Sequence, residues 1–269
     1  MSSASATPKG LHAVPESPVP GLALSERRVS EPRATLVCVH GGLDRGGSFA
    51  PLARRSDTFD VVAYDRRGYQ GSRGVQPLTL DGHVDDLLAI ARDEARRGPV
   101  ILFGHSFGGV VTFAAACRAP DVASMVINYE SPLPWVLARE PQRAAPVGDP
   151  GEEAEMFFRR IMSDAAWERL SDDERQSRRL DGSALLADLT VLHSDPPFDV
   201  ADITTASAYI HGDAGNVEYY RQLSMKIELL NPTMHTVEMA KSGHGAHLSS
   251  PDQLAAVIAD LWSRQCASV

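Results

Sequence analysis

The stretch Phe103-Gly104-His105-Ser106-Phe107-Gly108-Gly109 sets one hydroxyl among glycines. It follows the apolar run VILF and precedes VVTFAAAC, so a strand pattern gives way to a helix pattern at Ser106. A strand turning directly into a helix pinches the backbone, and glycines flanking the turn permit it. The side chain at the turn then stands clear, near the positive end of the following helix. Gly104 to Gly108 fit G-x-S-x-G in the strand–turn–helix context that gives the motif meaning, that of a serine nucleophile. The alternative is a tight turn carrying a surface serine. A serine hydroxyl reacts slowly at neutral pH unless a base lies within hydrogen-bond reach. Imidazole, with an unperturbed pKa of about 6.5, suits that role. One of nine histidines, His244 in Gly243-His244-Gly245-Ala246-His247, follows the last strand pattern and a glycine. Attack on a carbonyl also develops charge on oxygen, which fixed backbone N–H groups can hold. The glycine-rich turn His40-Gly41-Gly42, closing the run TLVCV, is a candidate source.

These residues need a scaffold that brings strand ends together. Strand patterns occur at Thr35 to Val39, Phe59 to Tyr64, Val100 to Phe103, Met125 to Tyr129, Ser207 to Ile210 and Thr236 to Met239, with Leu22 to Arg28 as an edge strand. Runs such as VILF and MVI suit strands covered on both faces. Helical patterns lie between them at Leu80 to Arg96, Gly108 to Arg118, Glu218 to Leu229 and Asp252 to Trp262. This alternation predicts an α/β fold with a mostly parallel sheet flanked by helices. Residues 1–20 read as a loose arm, and 21–130 with 201–269 as the core. Residues 131–200 are rich in Pro, Arg, Glu and Asp, keep a helical period and show no strand pattern. That length predicts a small helical cap rather than a loop.

Four landmarks resemble the α/β-hydrolase superfamily: HGG after the third strand, YDRRGYQGS after the fourth, GHSFGG after the fifth, and GHGAHLSSP near the end. The resemblance spans residues 33 to 263. It implies Ser106 as nucleophile and His244 as base. It also implies an oxyanion hole from the N–H groups of Gly42 and Phe107, with Leu43 as a neighbouring alternative to Gly42. His40, Asp65 and Arg66 would brace the loops. His247 would support the base or cap the last helix. The family's usual acid, an Asp in G-x-x-D after the seventh strand, is missing: the chain reads Gly212-Asp213-Ala214-Gly215. Asp213 is out of step by two positions. Glu130 closes the sixth strand beside the nucleophile strand, at a spacing of about 4.8 Å between strands, and the longer Glu side chain suits a displaced position. Glu130 is the favoured acid and Asp213 the alternative. A third arrangement has Glu130 paired with an arginine of the insertion such as Arg139.

The expected function is cleavage of a small carboxylic ester through an acyl-enzyme, with no metal or organic cofactor. Leu43, Trp135, Phe157 and Phe158 are candidate substrate contacts, and Met156 and Trp167 further apolar candidates. Thioesterase, lactonase, C–C hydrolase and perhydrolase activities use the same constellation, and a degenerate ligand-binding module or a scaffold are the non-enzymatic alternatives. A net charge of −9 and scattered arginines argue against nucleic acid as a partner. No apolar run approaches the ~20 residues of a membrane span, and MSSASATPKG lacks the pattern of a secretory signal. Three separated cysteines, Cys38, Cys117 and Cys266, suit a reduced, cytoplasmic compartment. No Cys/His spacing indicates a metal site. The oligomeric state is not written in the residues.

Overall fold

The computed structural model describes residues 10–137 and 148–267. Its strands are β1 His12–Val14, β2 Leu24–Arg27, β3 Ala34–Val39, β4 Phe59–Tyr64, β5 Val100–His105, β6 Met125–Tyr129, β7 Ser207–Gly212 and β8 His235–Met239. They form one sheet in the order β1-β2-β4-β3-β5-β6-β7-β8. Pairing is parallel from β4 through β8 and antiparallel at β1–β2 and β2–β4. Every residue of β3 to β7 is buried, which is why these strands are apolar along their length rather than alternating.

Two points differ from the sequence expectation. The segment expected at the sheet edge, Leu22 to Arg28, has neighbours on both sides. The outermost position goes to β1, whose His12 pairs with Glu26. That strand arises within residues 1–20, where composition alone suggests a loose arm. Three residues of mixed polarity give no periodic signal, and their pairing depends on a partner found only in the fold.

Ten helices complete the described chain: α1 Ala50–Ala53, α2 Leu80–Ala95, α3 Phe107–Arg118, α4 Pro150–Ile161, α5 Asp164–Glu168, α6 Asp172–Leu180, α7 Gly182–Leu192, α8 Val217–Leu230, α9 Ala246–Ser249 and α10 Pro251–Ala267. One face of the sheet packs on α2, α3 and α8 through residues such as Leu87, Val110 and Leu223. The other packs on α1 and α10 through Leu52, Leu254 and Ile258. Each layer buries its apolar stripe against one sheet face.

Among the described residues, no strand lies between β6 and β7. Helices α4 to α7 fill that interval around a core of their own, with Ala154, Phe158, Trp167, Leu185 and Leu189, joined by Leu43 and Tyr69 from the loops after β3 and β4. Their starts are set locally. Asp149 accepts the Glu152 N–H at 3.0 Å, Ser163 accepts the Ala166 N–H at 3.0 Å, and Ser171 with Glu174 forms a capping box. Two ion pairs, the first fully buried, fasten the segment to the chain that follows β4. Arg66 forks onto Asp188 of α7 at 2.6 and 3.0 Å, and Arg73 meets Asp181 at 2.6 Å.

Candidate active site

Sheet register places the chemistry. His105 is paired with Tyr129, and Tyr129 with Ile210, at the C-terminal ends of β5, β6 and β7. The next residues of β5 and β6 are Ser106 and Glu130, so the hydroxyl and the carboxylate leave the sheet side by side. The Ser106 N–H donates to Tyr129 O at 2.9 Å, and the Glu130 N–H to Ile210 O at 2.8 Å.

Ser106 sits between β5 and α3 with φ 53° and ψ −126°. A non-glycine residue in such a region stores about 1–3 kcal/mol of strain and persists only when its surroundings enforce it. The turn is that tight because α3 is pressed against the end of β3: a Cβ on Gly108 would lie 2.1 Å from Val39 O. The HGG turn runs equally close, since a Cβ on Gly41 would fall 2.8 Å from Ser106 Cβ. Phe107 is the first residue of α3, so its N–H has no acceptor within the helix. Gly42, Ser106, Phe107, Glu130 and His244 all line one cavity of ≈ 490 Å³.

His244 lies in the loop between β8 and α9. Its Nδ1–H donates to Glu130 Oε2 at 2.7 Å. The other carboxylate oxygen, Oε1, accepts the Gly212 N–H at 3.0 Å. Glu130 is 1% exposed, so its desolvation is offset by these two bonds. With Nδ1 protonated, neutral His244 keeps the Nε2 lone pair that a base requires. Its loop is anchored twice more: Tyr129 OH donates to Gly243 O at 2.8 Å, and His105 Nε2–H donates to His244 O at 2.7 Å. Among the described residues Ser106 Oγ makes no hydrogen bond to His244, as is common before substrate closes a site.

Asp213 does not join this group. Its Oδ1 accepts the Ser242 N–H at 3.3 Å, which turns the carboxylate toward the backbone of the loop. The usual acid position falls at Gly215, a glycine with φ 87° that lines the cavity and offers no carboxylate. A Cβ on Gly212 would lie 1.9 Å from Ser242 O, so the β8–α9 loop passes directly over the end of β7. Arg139 lies outside the described residues.

Bracing groups follow the expected pattern. His40 Nδ1–H donates to Gly41 O at 2.7 Å, and its Nε2 accepts the Arg66 N–H at 2.8 Å. Burial, aided by the Arg66 charge, lowers its pKa to about 3, so it stays neutral. Arg66 also donates to His40 O and Gly41 O at 2.9 and 3.2 Å, which fixes the HGG turn from beneath. Asp65 accepts the Gly46 and Gly71 N–H groups at 2.8 and 3.0 Å.

The cavity walls depart in part from expectation. Phe157 lines both the large cavity and an adjoining one of ≈ 130 Å³, and Leu43 and Phe158 line the smaller. Trp135 lines neither. It packs edge-on against Phe198 at 5.4 Å, beside the α3 layer, because the helical turn Pro134–Leu137 directs it away from the sheet ends. Met156 is exposed, and Trp167 is buried inside the helical segment. Three contributors carry no sequence signal. Asp188 reaches the cavity floor from α7 and accepts Tyr69 OH at 2.6 Å. Arg178 of α6 donates to Leu43 O at 2.6 Å and fixes that residue at φ 53°. Tyr220 of α8 lines the wall near His244, the rings nearly parallel at 6.4 Å. Helical periodicity marks such residues as buried but does not say against what.

Residues 36–257 match the model of the alpha/beta hydrolase family. The chain belongs to the alpha/beta hydrolase family. It is similar to lipase LipV of Mycobacterium tuberculosis, 35% identical over 95 residues that cover 35% of this chain and 36% of the relative. It is also similar to monoacylglycerol lipase of Mycolicibacterium smegmatis, 31% identical over 107 residues, 37% of this chain and 38% of that one. The chain thus matches little more than a third of the length of these relatives. Over nearly the whole chain the fold is that of the crystal structure of E-2-(acetamidomethylene)succinate hydrolase, with a TM-score of 0.67 at 19% identity, covering 94% of this chain and 99% of that one. Among the described residues, no helix of this family member is long and apolar enough to cross a membrane.

Proposed function

We propose that this hydrolase cleaves small carboxylic esters through an acyl-enzyme on Ser106. The observation that carries the reading is the Glu130–His244 bond at 2.7 Å, facing the cavity that the strained Ser106 turn also faces. His244 Nε2 takes the Ser106 proton as the hydroxyl attacks the ester carbonyl. The N–H groups of Phe107 and Gly42 hold the oxyanion. Glu130 keeps the imidazole in the required tautomer and stabilises the imidazolium. His244 then protonates the leaving alkoxide, and water, activated by the same imidazole, releases the acid. Side chains and backbone of this chain suffice for each step.

A cavity of ≈ 490 Å³ falls in the range of small-molecule sites, about 300–1,000 Å³. Its walls include Phe157, Ile161, Leu185, Leu189 and Leu192, all from α4 and α7, which supports a modest apolar acyl or alkyl group and a capping role for that segment. A cytoplasmic setting is part of the proposal, supported by three cysteines without disulfide partners. A fluorophosphonate probe tests the reading. Stoichiometric labelling of the wild type and none of Ser106→Ala is expected. Equal labelling of both proteins, or of neither, overturns it.

A further inference from the structure

Beside the site, three groups from distant parts of the chain converge: Asp44 in the loop after β3, His105 at the end of β5, and His247 in α9. One ligand atom from each lies within 4.8 Å of the others. His247 Nε2 is 3.3 Å and His105 Nδ1 4.0 Å from Asp44 Oδ2. Both imidazoles are more than nine-tenths buried, and His105 Nδ1, His247 Nδ1 and His247 Nε2 have no hydrogen-bond partner.

The tautomer of His105 is fixed from its far side. Nε2 faces the carbonyl of His244 at 2.7 Å and must donate to it. A neutral ring then presents the Nδ1 lone pair to Asp44. A lone pair aimed at a carboxylate across 4.0 Å is a buried acceptor facing a negative group, an arrangement that a cation relieves. His247 Nε2 faces the same oxygen at 3.3 Å, so a proton carried there points at Asp44 and an ion between the two groups takes that proton's place. Asp44 Oδ2 is also held by Ser48 Oγ at 3.0 Å, and His105 by His244 O, the supporting bonds that orient metal ligands.

We propose that Asp44, His105 and His247 form a binding site for one borderline divalent metal ion, of which Zn²⁺ is the type. Two imidazoles and a carboxylate suit Zn²⁺ rather than Mg²⁺ or Ca²⁺, which prefer all-oxygen sets. Zn²⁺ bonds of about 2.0–2.2 Å require the widest separations to close by ~1 Å. The fourth position opens onto the ≈ 130 Å³ cavity shared with Ser106 and His244. The ion joins the segments that carry the oxyanion turn, the nucleophile and the base, so it acts as a clamp on the site's frame. Spacings of 61 and 142 residues between the ligands leave no local motif, which is why the sequence shows none.

The test titrates the chelator-stripped full chain with ZnCl₂ by calorimetry and follows thermal unfolding. One Zn²⁺ per chain is expected. The midpoint should rise by roughly 5–10 °C at a hundredfold excess over Kd, with no rise for Mg²⁺. Asp44→Asn and His247→Gln should each weaken Zn²⁺ binding by at least about 100-fold, more than loss of a supporting partner. His235→Gln, an exposed imidazole, should leave binding unchanged. Co²⁺ in place of Zn²⁺ should give the intense visible bands of a four-coordinate ion in the wild type alone. No Zn²⁺ binding by the wild type, or binding unchanged in either ligand variant, overturns the site. Because binding is read without substrate, this outcome is independent of the proposed ester chemistry.

Discussion

Replacing Glu130 by Gln changes one oxygen to an amide and leaves the volume alone. In the wild type Oε2 accepts from His244 Nδ1 and Oε1 accepts from the Gly212 N–H. A glutamine cannot serve both. If its oxygen faces His244, its NH₂ opposes the Gly212 N–H and a buried donor is orphaned, which costs about 1–3 kcal/mol. If its NH₂ faces His244, Nδ1 must accept, the ring proton moves to Nε2, and the base is lost. The imidazolium formed during attack also loses its counter-charge. Two unit charges ~4 Å apart at an effective dielectric near 20 interact by about 4 kcal/mol. At ~1.4 kcal/mol per tenfold in rate, the two effects together lower kcat/KM by between a few thousandfold and about 10⁵-fold. The assay is hydrolysis of short p-nitrophenyl esters, with unfolding monitored to show that the variant remains folded. Asp213→Asn should stay within about twofold of wild type, because its bond is to the Ser242 backbone. Full turnover by Glu130→Gln together with collapse of Asp213→Asn would refute the assignment of the acid.

Other expectations follow from the same structure. Gly212→Ala puts a methyl 1.9 Å from Ser242 O, so the loop carrying His244 must shift; a loss of about 1–3 kcal/mol in urea unfolding, with a matching fall in kcat/KM, is expected. Asp188→Asn breaks a fully buried pair with Arg66 and should cost about 3–5 kcal/mol, measurable by the denaturation midpoint. Acid should destabilise the fold through His40 and His83, both held below their ordinary pKa by burial and the Arg66 charge. A His with a depressed folded value is fully stabilising above pH ~6.5 and loses about 1.4 kcal/mol per pH unit below it, for His40 down to about 3. Urea midpoints between pH 7 and 4.5 should therefore fall steadily, and a flat profile would contradict the buried neutral state.

Parts of the site are legible in the sequence because their geometry is local. The Ser106 turn is encoded within five residues by a strand, a glycine pair and a helix. The sheet core reads from apolar runs because β3 to β7 are covered on both faces. Glu130 is legible only with the sheet in mind, since its partnership with His244 depends on β6 lying between β5 and β7 in register. The absence of an acid at Gly215 is a negative clue, but the carboxylate that meets His244 instead, Glu130, is set by strand order that no local pattern reveals. Side-chain direction in the insertion is not legible at all. Trp135 and Phe157 are both aromatic residues after β6, yet one packs on Phe198 and the other faces the cavity. Asp188, Arg178 and the Asp44–His105–His247 cluster are set by tertiary contacts between segments far apart in the chain.

The most direct measurement is rapid acid quench of the enzyme during turnover of a p-nitrophenyl ester, followed by mass analysis of its peptides. Expected is the acyl group on the peptide containing Ser106, accumulating with a burst of p-nitrophenol, and no adduct in Ser106→Ala. Steady hydrolysis by the wild type with no acylated peptide, or with the acyl group on another residue, would contradict covalent catalysis at Ser106.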